Sequence, residues 1–263
     1  SKRFSGDLAE RLRERIYISV VPLLAQAIAE NFNKNKSTTY DLEKIYSLAM
    51  LLLFRLLFIA YAEDKDLLPY NRNDLYKKKS LKSIAFEIKE LVSNNKIEFS
   101  YDTNYWDNLK HIFFAINNGN KQWGVPIYNG GLFTQDSKIS PIGKELDNLK
   151  LTDNYMGNAL LHLLLIEQDN NLGPVDFRSL GVREFGTIYE GLLESSLTFA
   201  DQDLEISKNN ILIPLSKKNK IPDVSKGSIY LQNKSGERKS SGTFYTKSFI
   251  VNYLLEKSLD PAI

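Results

Sequence analysis

The chain has no cysteine among its 263 residues. That excludes a disulfide framework and thiolate metal sites, and it fits a reducing, cytoplasmic compartment. Histidine is nearly as scarce: only His111 and His162 occur, each within an aromatic or leucine-rich stretch. No zinc site is expected from such a set, and no metal ligand is assigned. Charge of one sign is also lacking. The 34 Lys and Arg residues against 32 Asp and Glu leave a formal net charge of +2, a total that says less about nucleic acid than a local patch would. A bilayer span needs about 20 apolar residues. The longest apolar run, Leu48 to Ala62, falls short of that, is interrupted by Arg55 and is closed by Glu63-Asp64-Lys65. It reads as a buried core helix, and no membrane partner is expected. Charges throughout the first fifteen residues do not fit a secretory signal.

Catalytic signatures are missing as well. Gly181-x-x-x-x-Gly186 is followed by Thr187, where a phosphate-binding loop needs lysine. Glu63-x-Lys65 and Glu87-x-Lys89 have the letters of a nuclease motif but fall on or beside helical segments, and Pro222-Asp223 has no Glu-x-Lys after it. No residue is assigned a catalytic role.

What is present is an ordinary globular composition, 43% hydrophobic and 25% charged, long enough to bury a substantial core. The first two thirds carry apolar residues at helical spacing. Helices are expected from Ser5 to about Asn31 with a break or kink at Pro22, and from an N-cap at Thr39 to about Ala62. Others are expected over Ser80–Ser93, Asn104–Asn117, Leu151–Glu167 and Ser179–Ser195, with a short helical turn between Asn71 and Tyr76. Asn117 to Ser140 is rich in Gly, Asn and Pro and reads as a long ordered loop. Gly181, Gly186 and Gly191 recur at five-residue steps on one helix, a costly pattern that close packing would offset. From Leu197 short β-branched runs alternate with turn residues, which predicts a small β-ribbon between about 197 and 232. The fold class is mainly α: a bundle-like helical domain over residues 1–196, then a β-ribbon and a terminal helix over 197–263.

Four ordered segments carry a resemblance: Phe54 to Pro69 (FRLLFIAYAEDKDLLP), Tyr128 to Phe133 (YNGGLF), Leu180 to Glu194 (LGVREFGTIYEGLLE), and the terminal Gly242-Thr243-Phe244-Tyr245-Thr246. In this order they resemble the helical connector upstream of the methyltransferase core in type IIG restriction-modification enzymes, and the similar region of phage-exclusion N6-adenine DNA methyltransferases. The last segment is similar to motif X, Gly-x-x-Tyr-Thr-Pro, with Lys247 in place of the proline; lysine is tolerated at that first helical position.

The resemblance implies that Phe244, Tyr245 and Thr246 line a pocket for S-adenosylmethionine, with Thr246 capping a helix whose free N–H groups suit a carboxylate. It implies DNA as partner, together with a methyltransferase core and an upstream nuclease of the same parent. The Gly-rich cofactor loop and the Asn-Pro-Pro-Tyr motif of that core do not occur in these residues. The chain therefore reads as the front part of an enzyme, without a complete catalytic or cofactor site of its own. Lys217, Lys218, Lys220, Arg238 and Lys239 concentrate charge between ribbon and motif X and are candidate DNA contacts. A protein–protein interaction module of a defence complex, with no DNA contact, is the alternative.

Within the matched segments Arg55 needs a partner in its apolar helix, with Glu63 and Asp64 at the charged end. Asn129-Gly130-Gly131 reads either as a tight turn at positive φ, with Leu132 and Phe133 anchoring it, or as a loop near nucleic acid. Arg183 and Glu184 read as members of an internal salt-bridge network, with a phosphate contact by Arg183 as the other reading.

Overall fold

The protein is described by a computed structural model covering residues 2–33, 41–95, 97–128, 130–168, 171–208, 212–216 and 220–233, with the side chains of 2–6 and 33 excepted. Helix α1 (Lys2–Arg15) runs through a π turn at Ile16–Val20 into α2 (Val21–Asn33). Pro22 thus stands in the first turn of α2 rather than in mid-helix. The ring of a proline clashes with the carbonyl four residues back. The π turn, in which Val21 N–H reaches Ile16 O, widens the backbone just before it. The break expected at Pro22 is therefore a local widening, not a stop.

Helix α3 (Leu42–Asp64) is the axis of the molecule. Its N-cap is Asp41, whose carboxylate accepts from Lys44 N at 3.0 Å; the proposed cap at Thr39 lies outside the described residues. Leu48, Leu52, Leu53, Leu56 and Ile59 are all completely buried, so α3 is apolar on every side. At 23 residues it is long and apolar enough to cross a bilayer, longer than the apolar run alone indicates. It is enclosed instead by α2, α5 (Leu81–Ser93), α7 (Pro141–Asp147), strand β3 (Ser195–Phe199) and the 3-10 turns Gly131–Phe133 and Phe177–Ser179.

The remaining helices are α4 (Asp74–Lys79), α6 (Asn104–Asn118), α8 (Asp153–Leu164) and α9 (Val182–Leu193). The starts of α4, α5 and α7 follow side-chain capping rules. Asn73 accepts from Leu75 N and Tyr76 N, Ser80 from Ser83 N, and Ser140 from Gly143 N ahead of Pro141.

Among the described residues strand is minor and antiparallel, as three two-stranded ribbons. Two match the expected region: β3 with β6 (Ile229–Asn233), and β4 (Leu204–Ile206) with β5 (Leu212–Pro214). The third is a correction. The run Leu163-Leu164-Leu165-Ile166 was expected to continue a helix to Glu167, but α8 stops at Leu164 and Leu165–Gln168 forms β1, paired with β2 (Asn171–Pro174). A continuous apolar run fits buried helix and strand equally well by periodicity. Here pairing decides it, with Ile166 opposite Gly173 and Glu167 opposite Leu172. Leu197 and Ile229 belong to the same apolar core as the helices, so the core continues across residue 196.

The three glycines at five-residue steps do not act alike. A Cβ on Gly191 would overlap the Tyr17 hydroxyl and lie 2.8 Å from Tyr17 Cζ, whereas Gly186 has nothing within 4 Å. Tyr17 is held there by donating to Ile188 O at 3.0 Å. Gly181 is the residue before α9, and its N–H donates to Glu184. Gly191→Ala is therefore expected to cost about 1–3 kcal/mol of stability through overpacking. Gly186→Ala is expected to be neutral or to stabilise by up to about 1 kcal/mol. Urea unfolding of both variants checks the contrast; equal midpoints contradict it.

Candidate functional site

The three matched segments that fall on described residues meet on the C-terminal half of α3. Arg55 joins the first to the second. Its side chain is completely buried, Nε donates to Leu132 O at 2.8 Å, and Nη1 bonds Asp147 Oδ1 at 2.5 Å. Its guanidinium lies 4.9 Å from the ring centre of Phe113 and 5.7 Å from that of Phe133, a flat cation placed against two aromatic rings. Burial lowers the Arg55 pKa while Asp147 raises it. Nη2 and Asp147 Oδ2 have no hydrogen-bond partner among the described residues. Helix α7 comes so close that a Cβ at Gly143 would lie 2.8 Å from Thr134 O and 3.3 Å from Arg55 Nη2. The partner of Arg55 is thus Asp147, 92 residues away, and not the acidic pair at its own helix end.

Aromatic edges complete the meeting. Phe58 stands edge-on to Tyr128 at 6.0 Å and to Phe133 at 5.3 Å, while Tyr128 donates to Leu67 O. The third segment, α9, brings Tyr189 to 5.7 Å from Phe54 and Phe185 to 5.7 Å from Tyr61. Leu132 and Phe133 are buried anchors, as expected. Gly130 has φ −84°, so the turn there does not use the left-handed conformation expected of it; Asn129 lies outside the described residues. Arg183 and Glu184 do not pair. Glu184 accepts from Gly181 N at 2.8 Å, and exposed Arg183 has no carboxylate partner among the described residues.

The acidic end of α3 is a junction. Buried Glu63 accepts from Tyr76 Oη at 2.7 Å, Leu81 N at 2.9 Å and Lys82 N at 2.8 Å, so it caps α5 from another helix. Asp64 accepts from Phe177 N at 2.8 Å and pairs with Lys82 Nζ at 2.6 Å, while Arg178 Nε donates to its carbonyl at 2.8 Å. A crevice beside Glu63, Asp64, Lys82, Val175 and Phe177 has room for about one water molecule and not for a cofactor. Among the described residues no group of three or more His, Asp and Glu side chains is placed to hold a metal ion.

Of the candidate binding residues, Phe244, Tyr245, Thr246, Lys217, Lys218, Arg238 and Lys239 lie outside the described residues. Lys220 is described, and it pairs with Glu205 at 2.8 Å. That pairing lowers the Glu205 pKa and raises that of Lys220. Sequence reasoning missed Asp147 and Arg178. Demanding a partner for Arg55 was sound, but no spacing rule points across 92 residues to Asp147. No protein-family model, curated protein or solved structure matches the chain.

Burial pushes the Glu63 carboxyl up from its ordinary 4.5 to about 7, against the opposing pull of its three donors. Between those values the folded protein holds a proton that the unfolded chain has lost. This contribution to stability is complete below about pH 4.5 and is lost as pH rises through about 7. Urea unfolding of wild type is expected to weaken from pH 5 to pH 8 more than that of Glu63→Gln. Identical pH dependence in the two proteins contradicts the shift.

Proposed function

We propose that this chain is the helical connector of a type IIG-like N6-adenine DNA methyltransferase, with motif X at residues 242–247. The observation that carries the reading is the convergence of three resembling segments. Residues 54–69, 128–133 and 180–194 are far apart in sequence, yet they meet through Arg55, Phe58, Tyr61 and Phe54. Scattered chance matches have no reason to share one packing unit, whereas a common scaffold does. Within these matches Arg55, Glu63 and Asp64 fix helix ends and loops.

In this reading the parent enzyme moves a methyl group from S-adenosylmethionine to adenine N6, with the base turned out of the stack. The connector spaces and couples the core and an upstream nuclease. Phe244, Tyr245 and Thr246 form one wall of the cofactor pocket, and Lys217, Lys218, Lys220, Arg238 and Lys239 contact the DNA backbone. The chain alone supplies no complete catalytic site. A protein–protein module of a defence complex is the second reading. It is favoured by Lys220, whose charge is already taken up by Glu205; a steep salt dependence of DNA binding separates the two.

The test is calorimetric titration of S-adenosylmethionine into the full-length parent and its Tyr245→Ala variant, with DNA affinity as control. Losing the aromatic wall is expected to cost about 1–3 kcal/mol, or roughly five- to two-hundred-fold in cofactor affinity, with DNA affinity little changed. The isolated chain is expected to bind the cofactor negligibly. Unaltered cofactor affinity in Tyr245→Ala, or tight binding by the chain alone, refutes the assignment.

A further inference from the structure

The corner where α3 passes into α4 carries positive charge that the core does not use. Residues 65–79 place Lys65, Arg72, Lys77, Lys78 and Lys79 at the surface, against exposed Asp66 and Asp74. None of these five cations has a carboxylate partner among the described residues. Most carboxylates beside them are already engaged. Glu63 is sealed by Tyr76 and by the first N–H groups of α5. Asp64 is taken by Lys82 and Phe177 N. Asp66 accepts from Asn71 and lies 4.0 Å from Arg178. Over residues 65–79 the five exposed cations therefore outnumber the two exposed acids, Asp66 and Asp74.

Two tyrosines hold part of this charge in place. Lys77 Nζ lies 5.4 Å and Lys82 Nζ 4.9 Å from the Tyr70 ring centre, and Lys65 Nζ lies 5.6 Å from that of Tyr61. An ammonium resting on a ring face has fewer rotamers to lose when it meets an anion. Arg72 is held similarly, donating to Asp66 O at 2.7 Å.

We infer that this α3–α4 corner binds the phosphodiester backbone of duplex DNA. The choice of DNA as the polyanion rests on the methyltransferase reading above; the cations, their lack of carboxylate partners and their ring supports do not. Lysines against phosphates give affinity without sequence selectivity, and each contact releases condensed counterions. The corner is separate in sequence from residues 217–239, so the two sets of cations can be substituted apart.

The experiment measures fluorescence anisotropy of a short labelled duplex with the full chain, from about 50 to 200 mM salt, the range over which phosphate contacts dominate. The variant carries Lys77→Gln, Lys78→Gln and Lys79→Gln together; a second carries Lys→Arg at the same three positions. The Gln variant is expected to bind duplexes of any sequence more weakly, with a slope of log affinity against log salt shallower by about two to three. The Arg variant is expected to keep the wild-type slope, which excludes misfolding as the cause. If wild type binds and the Gln variant is unchanged, while replacing Lys217, Lys218, Lys220, Arg238 and Lys239 by Gln removes binding, the corner is wrong and the methyltransferase reading stands. If wild type shows no duplex binding at about 50 mM salt, the corner and the DNA contact both fail. If polyglutamate binds as well as duplex and is lost alike in the Gln variant, the corner is an acidic-protein surface and the assignment to DNA is overturned.

Discussion

A guanidinium with no surface in water sits near the middle of α3, and much of the neighbouring chain is arranged to satisfy it. Arg55 cannot shed its charge, so it must be met inside the core. Asp147 from α7 supplies the counter-charge, the Leu132 carbonyl from the 131–133 turn supplies an acceptor, and Phe113 and Phe133 supply ring faces. They come from three different parts of the chain: α7, the 131–133 turn and α6. One buried cation thereby fixes the position of α7, of the long loop before it and of one face of α6. Desolvating both charges offsets much of their attraction, so the pair's value to the fold lies more in specifying one arrangement than in raw stability.

The end of α3 repeats the device with two buried carboxyl groups. Glu63 and Asp64 act on α5 and on the turn that leads into α9, while Arg178 closes over the last carbonyl of the helix. A carboxylate at a helix N-terminus meets both free N–H groups and a favourable dipole. Between Arg55 and this junction, Phe54, Phe58 and Tyr61 present ring edges to the turn on one side and to α9 on another. In the proposed parent enzyme this stretch would be the rigid element between modules, carrying the ribbon and motif X at a set distance from whatever lies upstream.

The longer helices were legible because their apolar residues recur at helical spacing, and Ser80 before Leu81 needs no tertiary knowledge; α7 was not expected, and α4 runs over Asp74–Lys79 rather than Asn71–Tyr76. The β1–β2 hairpin was not legible, since Leu163 to Ile166 has no period that separates helix from strand and the answer lies in pairing with Leu172 and Gly173. The need of Arg55 for a partner followed from electrostatics alone, but its identity did not, because α7 is brought in by packing that only the folded chain defines. Of the three glycines, Gly181 meets only Glu184 of the helix it precedes and Gly186 meets nothing, while Gly191 meets Tyr17, which comes from the π turn far upstream. The basic residues of α4 read from sequence as a solvated run. Their significance depends on which nearby carboxylates are already engaged, and that is a property of the fold. The candidate cofactor wall at Phe244, Tyr245 and Thr246 rests on the resemblance.

The claim that the buried Arg55–Asp147 pair holds these elements together is tested most directly by urea unfolding of Asp147→Ala beside the double replacement Arg55→Met with Asp147→Leu. Removing one partner leaves a charge buried and unpaired, and is expected to cost about 3–5 kcal/mol. Removing both, with apolar groups filling the space, is expected to recover most of that loss. An Asp147→Ala protein within about 1 kcal/mol of wild type, the range of an exposed pair, would contradict the account.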